Sequence, residues 1–352
     1  MNPMPDVTRF FHPVLAASKL KRDPVRVEVA GNPYVLFRDA SGRAAALADA
    51  CAHRRAPLSA GRVRPDGRLA CPYHGWHYDA DGKGCSPSQP TLTKCDVPAF
   101  QVVERYQYLW LAARDAPASA FPEMEAPGFE YVGGFGMRFD APLHVAFDNF
   151  SEDEHTPWVH HRLGWNEAQV GGLEFQAENF DDRTEVHYTA PQRPSVLARL
   201  LLLKPGDVFH NDWVSRFDPV RTDYEISWNS PTGEPRPLVY RAVIYFVPET
   251  AKTTQLHVMT FLKLNDLRYR PALPIFRNAA LALGWLEVRD DALFVPRIAN
   301  TPFDLKGMRL GKYDKPIVHN HKLLRKLYWA DETDGAESDR LVPAERLAGV
   351  QT

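Results

Sequence analysis

The sequence predicts an α+β protein in two parts. A small all-β domain spans residues 1–115, a linker 116–130, and a larger domain 131–352 with an antiparallel sheet and a long helix towards the C-terminus. Three observations carry this prediction. Residues 1–115 break into short strand-like segments punctuated by Gly, Asn and Pro turns. Beyond residue 130 come the alternating runs RTEVHYTA, DVFHNDWVSRF, DYEISWNS, LVYRAVIYFV and TQLHVMTFLKL, the period of strands with one buried face. An alanine- and leucine-rich stretch, residues 272–298, then reads as a helix.

Composition narrows the function classes. A chain of 352 residues can bury two cores. With 44% hydrophobic and 24% charged residues it is an ordinary globular chain, and a net charge of −2 argues against a nucleic-acid binder. Thirty prolines suit strands and turns better than a helical bundle. The amino terminus shows no charged region followed by a long apolar run. No window reaches the roughly eighteen apolar residues of a membrane span, so the expectation is a cytoplasmic protein with no membrane contact. Of the four cysteines, Cys85 and Cys95 are expected as free thiols, with a bridge between them not excluded.

In the first domain, RVEVAG and YVLFRD alternate about Gly31-Asn32-Pro33, a hairpin signal, and AAALADA leads straight into Cys51. Asp81-Gly82 marks another hairpin turn, and VPAFQVVERYQYLWLAA supplies two more strands. Within the stretch CAHRRAPLSAGRVRPDGRLACPYH stand two short ligand pairs, Cys51-x-His53 and Cys71-x-x-His74, with 17 residues between them. Gly75 allows the backbone to bend back after the second pair. Two thiolates and two imidazoles suit either zinc or an iron–sulfur cluster with histidines on one of its irons. The Pro- and Ala-rich segment RDAPASAFPEMEAPG follows as the linker.

In the second domain, RFDAPLHVAF reads as a strand and DNFSEDEH as a helix capped by Asp148 or Asn149, with acids in its first turn. His155 and His160 follow. Five residues apart, they would stand about 140° apart on a straight helix and could not share one ion. Pro157 pushes Thr156 out of the helical region, so a bend between the histidines can turn both rings inward. Two histidines beside a proline are by themselves more often structural. The apolar insert LARLLLLKPG, residues 197–206, could wall a pocket, gate it or pack at a subunit contact. His210, Asn211 and Trp213 lie on a strand that faces either a pocket or the core. The remaining histidines read as ordinary, with His161 the one to weigh as a substitute ligand.

CxHR followed by CPYHGW resembles the Rieske domain of the Rieske non-haem iron oxygenases. The later run Asn149-Phe150-Ser151-Glu152-Asp153-Glu154-His155 through His160 is similar to that family's mononuclear-iron motif. The resemblance implies a Rieske [2Fe-2S] cluster on Cys51, His53, Cys71 and His74, and a helix-grip, START-like catalytic domain. It also implies Fe(II) on His155, His160 and an aspartate of the long helix. WLEVRDDALFVPRI offers Asp290 and Asp291 for that place, with the register favouring Asp291 and Asp290 as the fallback. Glu152 stands where the family usually has Asp, the carboxylate that bridges a cluster histidine to an iron-ligand histidine; here its partners would be His155 and His74 of a neighbouring subunit. Glu152 sits at i−3 from His155, which would place both on one helical face. Asn149 is expected close behind the ligands or as a helix cap.

The chain has no GxGxxG opening a βαβ unit and no plant-type cysteine series, so NAD(P)H could serve only indirectly, through a separate reductase or ferredoxin. The family reading is a terminal oxygenase component, commonly a trimer, using O₂ to hydroxylate or dealkylate an aromatic or heterocyclic small molecule. Its runner-up is cis-dihydroxylation of an aromatic ring. Two other classes were weighed: a Rieske electron carrier, which would end near residue 115, and a structural zinc module, which would leave the second histidine motif unexplained.

Overall fold

The computed structural model of the chain describes residues 8–194 and 196–329, without the side chains of Leu197 and Ala198. The expected domain of 131–352 therefore extends, over 330–352, outside the described residues. Two compact units emerge. One takes residues 8–121, Glu249–Ala251 and 328–329; the other takes Pro122–Pro248 and Lys252–Leu327. Among the described residues no helix is long and apolar enough to cross a membrane.

The first unit is all β. A six-stranded sheet runs in the order His12–Ala16, Tyr108–Ala112, Ala99–Arg105, Ala44–Ala48, Asn32–Arg38, Val25–Val29. A second sheet of four two-residue strands joins Arg62–Val63, Leu69–Ala70, His77–Tyr78 and Gly84–Cys85. The hairpin at Ala30-Gly31 has both residues left-handed (φ 52° and 74°), the turn that matches strand twist. The hairpin at Tyr106-Gln107 does the same with two non-glycine residues (φ 51° and 62°), which no sequence signal announces. Asp81-Gly82 closes the turn between His77–Tyr78 and Gly84–Cys85, as expected. Cys85 and Cys95 are free thiols.

The second unit is organised by a seven-stranded sheet in the order Glu130–Phe139, Thr253–Leu264, Leu238–Thr250, Val220–Asn229, Val208–Phe217, Arg183–Pro191, Glu174–Asn179. All five alternating runs are strands of it. The pairing puts Phe209, Asn211, Trp213, Ser215 and Phe217 on one face, and all five are buried. The helix Leu273–Phe294 packs beside Glu130–Phe139 and continues as a 3₁₀ turn, Val295–Ile298, close to the expected 272–298. Phe276, Ala280, Leu283 and Asp291 are buried at spacings of three, four and eight, one helical face.

Three local expectations fail, all in or next to the metal motif. RFDAPLHVAF is not one strand: the strand stops at Phe139, and Leu143–Asp148 is a helix entered through Pro142. DNFSEDEH is not a helix. Asn149 caps the end of Leu143–Asp148, and the chain turns over 151–155 before the single turn Thr156–Val159. The acids that suggested a helix start serve a turn instead, with Glu152 Oε2 accepting from the backbone N–H of Glu154 (2.6 Å) and of His155 (3.3 Å). Pro157 does not expel Thr156 from the helix either. It occupies the first turn, where its missing N–H costs nothing. The bend lies at His160, whose ψ of 145° ends the turn.

Candidate metal centres and active-site cavity

In the first unit each ligand pair sits in a tight reversal. Cys51 accepts from Arg55 N–H and donates its own N–H to Ala56 O; Cys71 accepts from Gly75 N–H and donates to Trp76 O. The residue closing the second reversal, Gly75, is left-handed (φ 73°), as the sequence anticipates. The cysteines are buried against Val35, Phe37, Leu47, Leu58 and Leu69, whereas His53 and His74 are exposed. The two rings meet edge to face at 4.7 Å, and Trp76 stacks on His53 at 4.9 Å. Burial pushes the Cys71 thiol up, a penalty that a bound cation removes.

The four side chains do not converge on one point. Among the described residues, the only group offering three ligand atoms within 4.8 Å of one another lies in the second unit. Two separated pairs, thiolates inside and imidazoles outside, fit a two-iron cluster and not a tetrahedral zinc. Tyr78 completes the pocket: its oxygen accepts from Ala52 N–H (3.0 Å) and lies 3.1 Å from Cys51 Sγ. Facing a thiolate, the phenol donates. Tyr78→Phe is therefore expected to lower the cluster's reduction potential by about 60 mV, the worth of roughly one charge-assisted hydrogen bond for a one-electron couple, read by redox titration followed by EPR.

In the second unit, His155 and His160 stand at either end of the single turn Thr156–Val159, and both rings point to one spot. Their Nε2 atoms are 3.2 Å apart, and Asp291 Oδ1 lies 3.6 Å from the first and 3.3 Å from the second. Donors about 2.1 Å from one ion at right angles would be about 3.0 Å apart, so this triangle can close on one metal. Asp291 Oδ1 is buried and has no hydrogen-bond partner. Asp290 points elsewhere, into an ion pair with Arg162 at 2.5 Å. His161 is exposed and outside the group. Arg193, which no local signal marks, donates to His160 O (2.6 Å) and Thr156 O (3.4 Å), holding the turn at both ends.

Each histidine has a carboxylate behind it. Glu152 Oε1 meets Nδ1 of His155, and Glu287 Oε2 lies 3.1 Å from Nδ1 of His160. The Glu152 contact fixes the His155 ring and raises its basicity towards a metal, while Glu287 places a negative charge beside His160 without a hydrogen bond to it. Glu287 is four residues before Asp291, so its place on that face was available from the sequence. Burial alone would lower the His155 imidazole, but the carboxylates of Glu152, Asp291 and Asp153 outweigh it and carry it up to about 9. His160 is raised too, with Asp291 outweighing burial. The site is built to draw positive charge.

The ligands stand on the wall of a cavity of about 140 Å³, the size that holds a single small aromatic ring. Phe209, Trp228, Ile226, Tyr224, Leu283 and Leu201 line it, the last from the apolar 197–206 segment. Asn149 and Asn211 also face it; His210 turns away to Asn229, and Trp213 is buried. Tyr224 ties the floor to the ligand segment by donating to Phe150 O (2.5 Å).

The first unit thus carries a paired cysteine–histidine site and the second a triad that could hold a single metal, and the comparisons with known proteins bear on the class. Residues 10–101 match the Rieske [2Fe-2S] domain. The oxygenase component of dicamba O-demethylase from Stenotrophomonas maltophilia is 33% identical over 40% of this chain and 44% of its own length. Methylxanthine N1-demethylase NdmA from Pseudomonas putida is 31% identical over 43% of this chain and 46% of its own. The sequence matches thus reach less than half the length of these relatives. In structure, dicamba monooxygenase bound to dicamba superposes with a TM-score of 0.73 at 24% identity, covering 92% of this chain and 98% of that one. The chain thus carries a Rieske [2Fe-2S] domain, is similar over part of its length to the oxygenase components of Rieske demethylases, and shares the fold of dicamba monooxygenase.

Proposed function

We propose that this protein is a terminal oxygenase component that hydroxylates or oxidatively dealkylates an aromatic or heterocyclic small molecule. The observation that carries the reading is the triad of His155, His160 and Asp291 on the wall of an aromatic cavity, in a chain that also holds a Rieske domain. His155, His160 and Asp291 would hold a mononuclear Fe(II), and Cys51, His53, Cys71 and His74 the cluster. Bound there, the iron supplies O₂ activation and the cluster single electrons.

The chain's own side chains do the rest. Glu152 orients the His155 imidazole, Glu287 places a negative charge beside that of His160, and Arg193 fixes the turn that carries them. The apolar walls exclude water and press a flat substrate against the ligand face. Electrons would come from a separate reductase or ferredoxin. Glu152 would link His155 to His74 of a neighbouring copy in a homotrimer, working in the cytoplasm.

The test is to purify the protein anaerobically and record its visible spectrum, its EPR after dithionite, and its iron and sulfide. About three irons and two sulfides per chain, with a reduced-cluster signal of a histidine-ligated centre, are expected. With a surrogate reductase, methoxyarenes should then yield the phenol and formaldehyde. A colourless protein containing zinc and no sulfide would overturn the reading.

A further inference from the structure

The cavity's polar inventory points to the kind of molecule it takes, given the oxygenase reading on which this inference rests. Among the described residues lining it there is no lysine or arginine, while Glu152, Asp153, Glu287 and Asp291 all border it. Apart from the metal site itself, a carboxylate or sulfonate entering here would be buried beside acids with no lysine or arginine to pair with, an arrangement proteins avoid.

One neutral group is left open. Asn211, 6% exposed, stands on the inward face of Val208–Phe217 and lines the cavity. Its Nδ2 donates to Tyr188 Oη (3.3 Å). With its amide nitrogen so engaged, Asn211 Oδ1, buried and without a hydrogen-bond partner, is left as an acceptor. A buried acceptor left unmade is costly, and a ligand donor would satisfy it.

We propose that the cavity binds an uncharged aromatic or heteroaromatic molecule that donates one O–H or N–H to Asn211 Oδ1, and that it rejects aromatic carboxylates and sulfonates. The experiment is equilibrium dialysis of the anaerobic, iron-loaded protein against three probes of similar size. They are 4-methoxyphenol (neutral, one donor), 1,4-dimethoxybenzene (neutral, no donor) and 4-methoxybenzoate (anionic). The phenol is expected to bind about tenfold tighter than the dimethoxy compound and about a hundredfold tighter than the benzoate. Asn211→Leu should erase the first difference while preserving dimethoxybenzene binding.

Benzoate binding as tight as the phenol would overturn the proposal, as would a phenol preference that survives Asn211→Leu or an absence of binding by both neutral probes. If Asn211→Leu does not fold, the comparison of phenol with benzoate on the unaltered protein still decides. Because binding is read without turnover, this proposal can fail while the oxygenase reading stands. The metal analysis above can likewise fail independently of it.

Discussion

An Asp291→Ala protein is expected to hold about two irons and two sulfides per chain where the parent holds about three and two, and to lose product formation by more than about a hundredfold. The geometry separates this carboxylate from its neighbour. Asp291 Oδ1 completes the triangle with both histidines, whereas Asp290 is held by Arg162 at 2.5 Å and by Arg289 at 3.1 Å. Those two guanidiniums outweigh burial and keep Asp290 below the usual carboxylate range. Asp290→Ala should therefore retain all its iron. The measurement is iron and acid-labile sulfide on both variants, with EPR of the reduced cluster as the internal control. Full iron in Asp291→Ala together with loss in Asp290→Ala would reverse the assignment.

The second large effect is expected for Glu152→Gln, which should keep both metal centres and the cluster's potential while product from the pre-reduced protein in a single turnover falls about ten- to a hundredfold. Glutamine has the same length, and its one carbonyl oxygen can still accept from His155 Nδ1, at the cost of the bond that the second carboxylate oxygen accepts from the N–H of Glu154. What disappears is the charge that, foremost among its neighbours, lifts the His155 imidazole against burial. The variant thus separates a role in connecting the two centres from a role in holding the fold. Unaltered single-turnover yield would sink the bridging role.

The parts legible in the sequence are those whose signal is local. Cys51, His53, Cys71 and His74 come as two short pairs around turns, and the long strands advertise themselves by alternation. Ligand-bearing chemistry in the second unit is half local. His155 and His160 were readable as a pair, yet their geometry was not. The acids of 152–154 look like a helix start, and only tertiary contacts show that Glu152 stabilises a turn while the helix lies upstream at Leu143–Asp148. Pro157 was read as a breaker when it is a starter, because the same fixed φ serves both ends of a helix. Arg193, Tyr188 and Asn211 carry no motif at all. The sheet register brings the last two to the site, pairing Tyr188 with Asn211 across two strands, and no short stretch of sequence encodes that.

The ligand segment has little structure of its own, a single helical turn between reversals, and it is held in place by Arg193, Tyr224 and whatever lies between its two imidazoles and Asp291. An ion that binds only this arrangement stabilises it by mass action, more as free metal rises. Iron supply and the last stage of folding then become one equilibrium. A chain made in iron-poor surroundings would complete its sheet and its long helix, yet leave the rim of the cavity slack. By reciprocity, any molecule that holds the rim shut would tighten the grip on metal by the same factor that metal tightens the grip on it. With a metal bound, the cavity would take its final shape partly from its own cargo, and the order of loading would become part of how such a protein matures.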